Sequence, residues 1–258
     1  YIFIIFIILL IIGTIYILYT QNISGQEIKE DENSVSQNSI KILDTLTMGI
    51  SNYDTMNPIL TNNKEIINID KIIFEPLFNI TSDYKLEQCL ATSCEKKDDL
   101  TYEIKLDTSI KWQDGSSLIA KDVAFTIDRL KERNTAYSAN VKDIQTVETP
   151  DADTVRIILS KPVLYFEYNL TFPILPSMYY INEDFASTNK IPIGTGMYKI
   201  ASIDDATILL TRNDKWRHIK DKTPKAESIT IKKYGTMGEI YNSFKLGNID
   251  IINTLSTN

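Results

Sequence analysis

Residues 111–130 constrain the fold more than any other part of the chain, because they predict a tight turn followed directly by a helix. Asp114-Gly115 supplies the turn, where glycine tolerates a positive φ. Asp122 then lies in the first turn of the helix, where a carboxylate faces the positive end of the helix dipole. Apolar residues follow at helical spacing, at Val123, Ile127 and Leu130. The segment therefore predicts a helix that buries one face against a core.

Nine positions of this segment also match a known pattern: Lys111, Trp112, Asp114, Gly115, Ala120, Asp122, Val123, Phe125 and Thr126. The pattern resembles the signature of the bacterial extracellular solute-binding proteins of family 5, the binding components of ABC importers for peptides and nickel. One position departs from it, because Ile119 stands where the family often has Thr. That position can cap the helix, so the departure bears on where the helix begins.

Other segments extend the resemblance over about residues 42–253. Residues 74–78 are similar to the family's Y-E-x-L-F motif, and residues 191–200 are similar to its P-x-G-T-G-P-Y motif. Gly194-Thr195-Gly196 within the second motif is interpreted as a turn, because no lysine follows it at the spacing of a phosphate-binding loop.

The resemblance implies an α/β fold. It corresponds to a lobe of a type II periplasmic-binding-protein-like fold, with a mixed sheet and a smaller inserted α/β subdomain at residues 60–160. Residues 40–258 would form the N-terminal portion of the solute-binding domain, with the second lobe absent from this sequence.

Hydrophobic periodicity predicts the elements of that lobe. The mixed sheet is expected to contain strands near residues 42–50, 196–201, 207–212 and 228–233, and further strands are expected at 101–106 and 155–159. A short helix is predicted over 66–78, ended by Pro76. Thr236 and Glu239 form a capping box that opens another helix, with an apolar face of Met237, Ile240, Tyr241 and Phe244.

The N-terminal residues predict a membrane segment. Residues 1–19 contain no charge and are nearly all large and apolar, so a helix there would span roughly 28 Å, at 1.5 Å per residue. We favour a retained transmembrane anchor over a cleaved signal helix, although Ile23-Ser24-Gly25 could serve a signal peptidase. Residues 20–39 are polar and acidic and predict a disordered tether. The protein is therefore expected at the cell membrane, facing the extracellular or periplasmic side.

Composition narrows the function classes. The net charge is -7 and no basic cluster offsets it, which argues against nucleic acid as a partner. The chain has one histidine, His218, and two cysteines, Cys89 and Cys94. These are too few to build the common histidine and cysteine metal sites, and they leave one histidine for a catalytic triad. We therefore expect no catalytic residues, no metal site and no cofactor. Cys89 and Cys94 could form a small disulfide loop or remain two independent buried thiols.

The resemblance also implies where a ligand would bind. In the family, the residues that follow the first strand approach the ligand cleft, which points to Ser51, Asn52 and Tyr53. A tyrosine in the loop after the signature helix can touch the ligand backbone in peptide-binding relatives, which points to Tyr137. The alternatives are a turn set by Asn57-Pro58 and an ordinary packed or surface tyrosine.

The function implied is capture of a peptide or another small solute and its delivery to an ABC permease, with the N-terminal helix holding the protein at the membrane. A ligand-sensing receptor of the same fold is the first alternative. A hydrolase is less favoured, because it would depend on His218 and because neither Gly-x-Ser-x-Gly nor His-Glu-x-x-His occurs.

Overall fold

The computed structural model describes residues 44–185 and 190–252. The predicted anchor or signal helix at 1–19 and the predicted tether at 20–39 lie outside these residues. Within the described ranges, no helix combines the length and the apolar character needed to cross a bilayer.

The secondary structure elements of the described residues are labelled in chain order. The strands are β1 (Thr45–Ser51), β2 (Phe78–Ile80), β3 (Leu86–Gln88), β4 (Ala91–Lys96), β5 (Thr101–Leu106), β6 (Ile144–Glu148), β7 (Thr154–Leu159), β8 (Tyr198–Ile203), β9 (Thr207–Arg212), β10 (Ser228–Tyr234) and β11 (Ile251–Ile252). The α-helices are α1 (Lys64–Asp70), α2 (Ala120–Lys131), α3 (Ser138–Val141) and α4 (Met237–Lys245). Two 3-10 helices cover Phe166–Asn169 and Met178–Tyr180.

The largest sheet has five strands in the order β11-β1-β10-β9-β8. β1 pairs in parallel with both β10 and β11, whereas the β10–β9 and β9–β8 pairs are antiparallel. The sheet is therefore mixed, as predicted. Each of the four strands expected in it overlaps an observed strand, because their alternating or continuous apolar residues reach the core on the expected face.

A second, antiparallel sheet has the order β4-β5-β7-β6. Along β5, Tyr102, Ile104 and Leu106 are buried and their neighbours are half-buried, as the alternation predicted. α2 packs near this sheet and buries Val123, Ile127 and Leu130 completely. This sheet and α2 fall within residues 60–160, although the boundaries of an inserted subdomain remain a prediction.

The start of α2 explains why the signature contains the residues it does. The Trp112 indole N–H and the Ile119 amide both donate to Asp122 Oδ2 at 3.0 Å. The Ser177 amide and hydroxyl donate to Asp122 Oδ1 at 2.8 and 2.7 Å. Thr126 adds a further link, because its hydroxyl accepts from the Leu175 amide. The signature therefore ties the turn, the helix and residues 175–177 together.

α1 corrects the prediction of a helix over 66–78. The helix begins two residues earlier, because the Asn63 side chain accepts from the Glu65 and Ile66 amides and caps it. It ends at Asp70, because the next carbonyls are used elsewhere: the Gly196 amide donates to Ile73 O at 2.9 Å and the Tyr198 amide to Ile72 O at 3.0 Å. Contacts across more than a hundred residues thus override local helix propensity.

Gly194-Thr195-Gly196, interpreted from the sequence as a turn, enters a bend over residues 195–197 that leads into β8 and packs against the segment after α1. A Cβ atom on Gly194 would lie 2.0 Å from Ile73 O, and a Cβ atom on Gly196 would lie 2.7 Å from the same atom. Both positions therefore need glycine, because any side chain would force the two segments apart. The bend thus packs against the chain that follows α1.

α4 confirms its capping box but corrects its predicted apolar face. Thr236 Oγ accepts from the Glu239 amide at 3.3 Å, and Glu239 accepts from the Thr236 amide in return. Of the predicted face, only Ile240 is buried, whereas Tyr241 and Phe244 are 47% and 43% exposed. Ile240 packs over Gly49 of β1, whereas Tyr241 and Phe244 lie outside the core of the described chain.

Both cysteines are free thiols in the structure. Burial, together with the nearby carboxylate of Glu75, raises the pKa of Cys89 to about 11, and burial together with Glu167 raises that of Cys94 to about 12. Of the two alternatives left open by the sequence, the structure has two independent thiols, both half-buried.

Candidate ligand-binding site

The residues implied as ligand contacts divide among three cavities. Ser51 and Asn52 line one of them together with Asn63 and Glu65. Tyr53 lines a second, beside Met56 and Leu60. Tyr137 lines a third, of about 430 Å³, whose other lining residues are Ile67, Asp70, Lys71, Phe74, Pro76, Phe78, Asn79, Ile80, Thr171 and Pro173. We refer to this third space as the Asp70 cavity.

The loop after β1 is held by residues at the start of α1. The Ser51 amide and hydroxyl both donate to Glu65 Oε2, at 2.7 and 2.9 Å. The Asn63 amide group donates to the carbonyls of Ser51 and Asn52, at 2.6 and 3.0 Å. Asn52 adopts a left-handed backbone with φ 49, which asparagine tolerates better than most residues. The amide and the hydroxyl of Ser51 therefore both donate within the protein, whereas Asn52 is exposed.

Tyr53 is half-buried beneath a cation. The Lys233 ammonium lies 3.8 Å from the centroid of its ring, a distance typical of a cation–π contact. Burial raises the pKa of the Tyr53 hydroxyl, and the charges of Asp54 and Asp70 raise it further. Tyr53 therefore lines its cavity as a phenol whose ring is held against the Lys233 ammonium.

Tyr137 lies just before α3, at the wall of the Asp70 cavity. Burial raises the pKa of its hydroxyl to about 12, and the charge of Asp70 contributes to the rise. The side chain is therefore a neutral phenol at physiological pH, able to donate or accept a hydrogen bond. The backbone amide of Tyr137 is not free to bind a ligand, because it donates to Thr135 Oγ1 at 3.2 Å.

Asp70, which the sequence reasoning missed, is the most unusual group in the site. The residue is only 2% exposed, and neither of its carboxylate oxygens has a hydrogen-bond partner among the described residues. Burial raises the pKa of Asp70 well above its usual value, and the charge of Asp54 raises it further. A buried carboxyl without donors is destabilising, so its presence calls for a physical explanation.

A sequence signal for Asp70 did exist. It lies four residues after Ile66 and three before Ile73, and both isoleucines are fully buried. On a helix these spacings place Asp70 on the apolar face. An acidic residue on an apolar face at the edge of a helix is the pattern that would have identified it.

Asp54 contributes charge to the site without facing the same cavity. Its Oδ1 accepts from the Thr55 amide and the Thr61 hydroxyl, at 2.6 and 2.7 Å, and its Oδ2 accepts from the Asn62 amide at 2.9 Å. These bonds fix the carboxylate in the loop between β1 and α1. The site therefore has one solvated, hydrogen-bonded carboxylate near one buried carboxyl that has no partner.

The five-stranded mixed sheet and the antiparallel sheet form an α/β fold of the type II periplasmic-binding-protein class, as its likeness to solved structures shows. Comparison with known proteins then identifies the family. The model of the bacterial extracellular solute-binding proteins, family 5 Middle, matches residues 85–258, and the chain belongs to this family.

Relatives of known name agree with that assignment. A putative ABC transporter peptide-binding protein of Brucella ovis is 35% identical over 161 residues, which cover 56% of this chain and 29% of that protein. The glutathione-binding protein GsiB of Escherichia coli O1:K1 is 32% identical over 157 residues, which cover 58% of this chain and 30% of that protein. The chain thus spans less than a third of the length of these relatives.

Solved structures support the same fold. The structure of NikZ from Campylobacter jejuni in complex with Ni(L-His) superposes with a TM-score of 0.70 at 29% identity, covering 81% of this chain and 43% of that one. The oligopeptide-binding protein AppA from Bacillus subtilis, in complex with a nonapeptide, gives a TM-score of 0.70 at 22% identity over the same shares. The second likeness supports the fold alone.

Proposed function

We propose that the full-length protein captures an extracytoplasmic solute, with an oligopeptide as the leading candidate, and delivers it to an ABC permease. The observation that carries this proposal is the family match over residues 85–258. The peptide-binding and glutathione-binding relatives favour a solute built from amino acids. The ligand contacts we assign are Ser51, Asn52, Tyr53 and Tyr137.

In this proposal the protein binds its solute and does not catalyse a reaction. Its histidine, His218, packs edge-on against Trp216, with ring centroids 5.2 Å apart. The ring therefore packs within the segment that connects β9 and β10, and it lines none of the three cavities described above. A measured turnover abolished by His218→Gln would instead support the hydrolase alternative.

The direct test is to identify what the protein carries. Full-length protein purified without denaturant is analysed by mass spectrometry for copurifying small molecules, and the solute found is then titrated back by calorimetry. We expect about one solute per protein. Absence of any copurified solute, together with no binding across a peptide library, would overturn the proposal.

Tyr137 can be tested with the same titration. Tyr137→Ala should weaken binding by roughly tenfold, because one hydrogen bond and part of an apolar wall are lost. The matched control is Tyr241→Ala, which removes an exposed tyrosine on α4 whose ring neighbours Lys245. Equal affinity of the two variants would remove Tyr137 from the site.

We also propose that residues 1–19 anchor the protein in the membrane and that residues 20–39 act as its tether. The uncharged sequence of the first segment and the acidic sequence of the second support this. A flexible chain of about 19 residues has a root-mean-square span of roughly 24 Å, which would keep the domain beside a permease. Fractionation decides the point, since soluble mature protein that starts near Gln26 would exclude an anchor.

A further inference from the structure

We propose that Asp70 is a specificity-determining residue, and that the Asp70 cavity binds the positively charged amine of the solute. The inference deepens the proposed function and rests on it, because it concerns the chemistry of the captured solute. Three observations carry it: the burial of Asp70, the absence of a donor to its carboxylate among the described residues, and its place in the wall of a cavity.

The cavity has the size and the lining of a small-molecule site. Its volume of about 430 Å³ lies in the range of roughly 300–1,000 Å³ that such sites occupy. Phe74, Phe78 and Pro76 supply apolar walls, which reduce hydration of a bound group. Tyr137 and Asn79 add polar groups beside Asp70. The lining therefore combines apolar walls with one acidic group, an arrangement suited to an organic cation rather than to an anion.

Among the described residues, no charged group forms an ion pair or a hydrogen bond with the Asp70 carboxylate. Lys71 also lines the cavity, but its ammonium is directed to Asn68, where it donates to Oδ1 at 3.2 Å. Asp54 is the carboxylate whose charge acts on Asp70, and it adds negative potential. Tyr53 and Tyr137 are the neighbouring phenols, and both are neutral at physiological pH because their pKa values are raised. The local field therefore favours a cation.

A bound amine would supply what Asp70 lacks. An ammonium group has three N–H donors, and a carboxylate removed from water is stabilised strongly by such charged hydrogen bonds. Binding would also favour the ionised carboxylate, and burial holds the pKa of the empty Asp70 well above its usual value. Association with an amine should therefore release a proton from Asp70, and the solute affinity should rise with pH until Asp70 is fully ionised.

The experiment uses full-length protein and three tripeptide probes in a calorimeter. Ala-Lys-Ala carries two amines, Ala-norleucine-Ala lacks the side-chain amine, and its N-acetyl form lacks both. We expect wild-type protein to bind at least one amine-bearing probe tenfold or more tightly than the N-acetyl probe. Titrations in phosphate and in Tris, which differ in ionisation enthalpy, should show release of up to one proton per solute.

Two variants complete the design. Asp70→Asn should lose the preference for amines and the proton release, while it keeps the affinity for the N-acetyl probe. Asp128→Asn removes an equal charge from the exposed face of α2 and should behave as wild type. Thermal melting of each variant confirms that it is folded.

The outcomes separate this inference from the proposed function. Binding with an amine preference that Asp70→Asn leaves intact, or binding without any amine preference, overturns the role of Asp70 and leaves solute capture standing. If no probe binds, the copurified solute decides: one that carries an amine and loses affinity in Asp70→Asn supports the inference, and one without an amine overturns it. Absence of both probe binding and a copurified solute overturns both proposals.

Discussion

Asp70 and Asp122 are two aspartates with the same exposure, 2%, and opposite surroundings. Asp122 receives four hydrogen bonds, from the side chains or amides of Trp112, Ile119 and Ser177. Asp70 receives none among the described residues. Burial alone therefore does not distinguish a structural carboxylate from a functional one, whereas the number of donors that the protein supplies does.

The difference follows from where each residue lies. Asp122 is enclosed by a turn, a helix start and residues 175–177. Each of its two carboxylate oxygens therefore accepts two hydrogen bonds from the same chain. Asp70 ends α1 at the wall of a cavity, where the facing groups are largely apolar. A protein tolerates such a group when a ligand completes its hydrogen bonds, and it then accepts lower stability in the empty state.

The largest effect should come from the packing around Asp122. Trp112 is 2% exposed, so Trp112→Ala removes a large buried ring together with the indole donor to Asp122. We expect a loss of about 3–5 kcal/mol in the free energy of unfolding. Urea denaturation measures it, and a loss below about 1 kcal/mol would show that the ring contributes little to the core.

The matched substitutions Asp122→Asn and Asp70→Asn test the comparison directly. An amide at 122 would turn its NH₂ group toward donors such as the Ser177 amide, so we expect a loss of about 2–4 kcal/mol. An amide at 70 breaks no hydrogen bond among the described residues and removes a buried ionisable group, so stability should stay within about 1 kcal/mol of wild type or rise. Equal losses at both positions would mean that Asp70 has a structural partner.

The pH dependence of stability sharpens the same contrast. Asp70 has a folded-state pKa raised by burial above the unfolded value near 3.8, so it favours the folded state fully below that value. This contribution is lost as pH rises from about 3.8 through the folded pKa, with a slope of at most about 1.4 kcal/mol per pH unit. The Asp70→Asn variant lacks this pH-dependent contribution to stability.

The measurement is a series of denaturation midpoints between about pH 4 and pH 8. Relative to wild type, Asp70→Asn should become progressively more stable as pH increases across this window. Asp128→Asn, with its exposed carboxylate, is the control. Parallel pH profiles for wild type and Asp70→Asn would show that Asp70 titrates normally.

The sequence predicted the structural features that depend only on residues close together along the chain. The alternation in β5 predicted its buried residues, and the Thr236–Glu239 capping box predicted where α4 begins. The end of α1 was not predictable in this way, because it depends on amides of residues 196 and 198 that bind the carbonyls of Ile73 and Ile72. Local periodicity contains no information about such distant partners.

The site was harder to predict for the same reason. The Asp70 cavity is built from α1, the segment around β2, Tyr137 and residues near 172, which come together only in the folded chain. The apolar pattern of α4 likewise predicted a buried face, yet Tyr241 and Phe244 remain substantially exposed in the described structure. A helical pattern identifies a face but cannot say which other segment covers it.

The smallest expected effect concerns the family position where this chain differs. Ile119 is the N-cap of α2, with an extended backbone, φ -136 and ψ 160, that suits a capping residue. Its aliphatic side chain accepts no hydrogen bond, so the only side-chain cap at this end is the one that Asp122 returns to the Ile119 amide. Ile119→Thr would supply a hydroxyl acceptor for an amide in the first turn, and Ile119→Val is the matched control of the same shape without it. We expect the Thr variant to be about 0.5–1 kcal/mol more stable than the Val variant by urea denaturation. Equal stability would mean that the four bonds to Asp122 already fix this end of the helix so completely that a cap adds nothing, which would strengthen the contrast between Asp122 and Asp70.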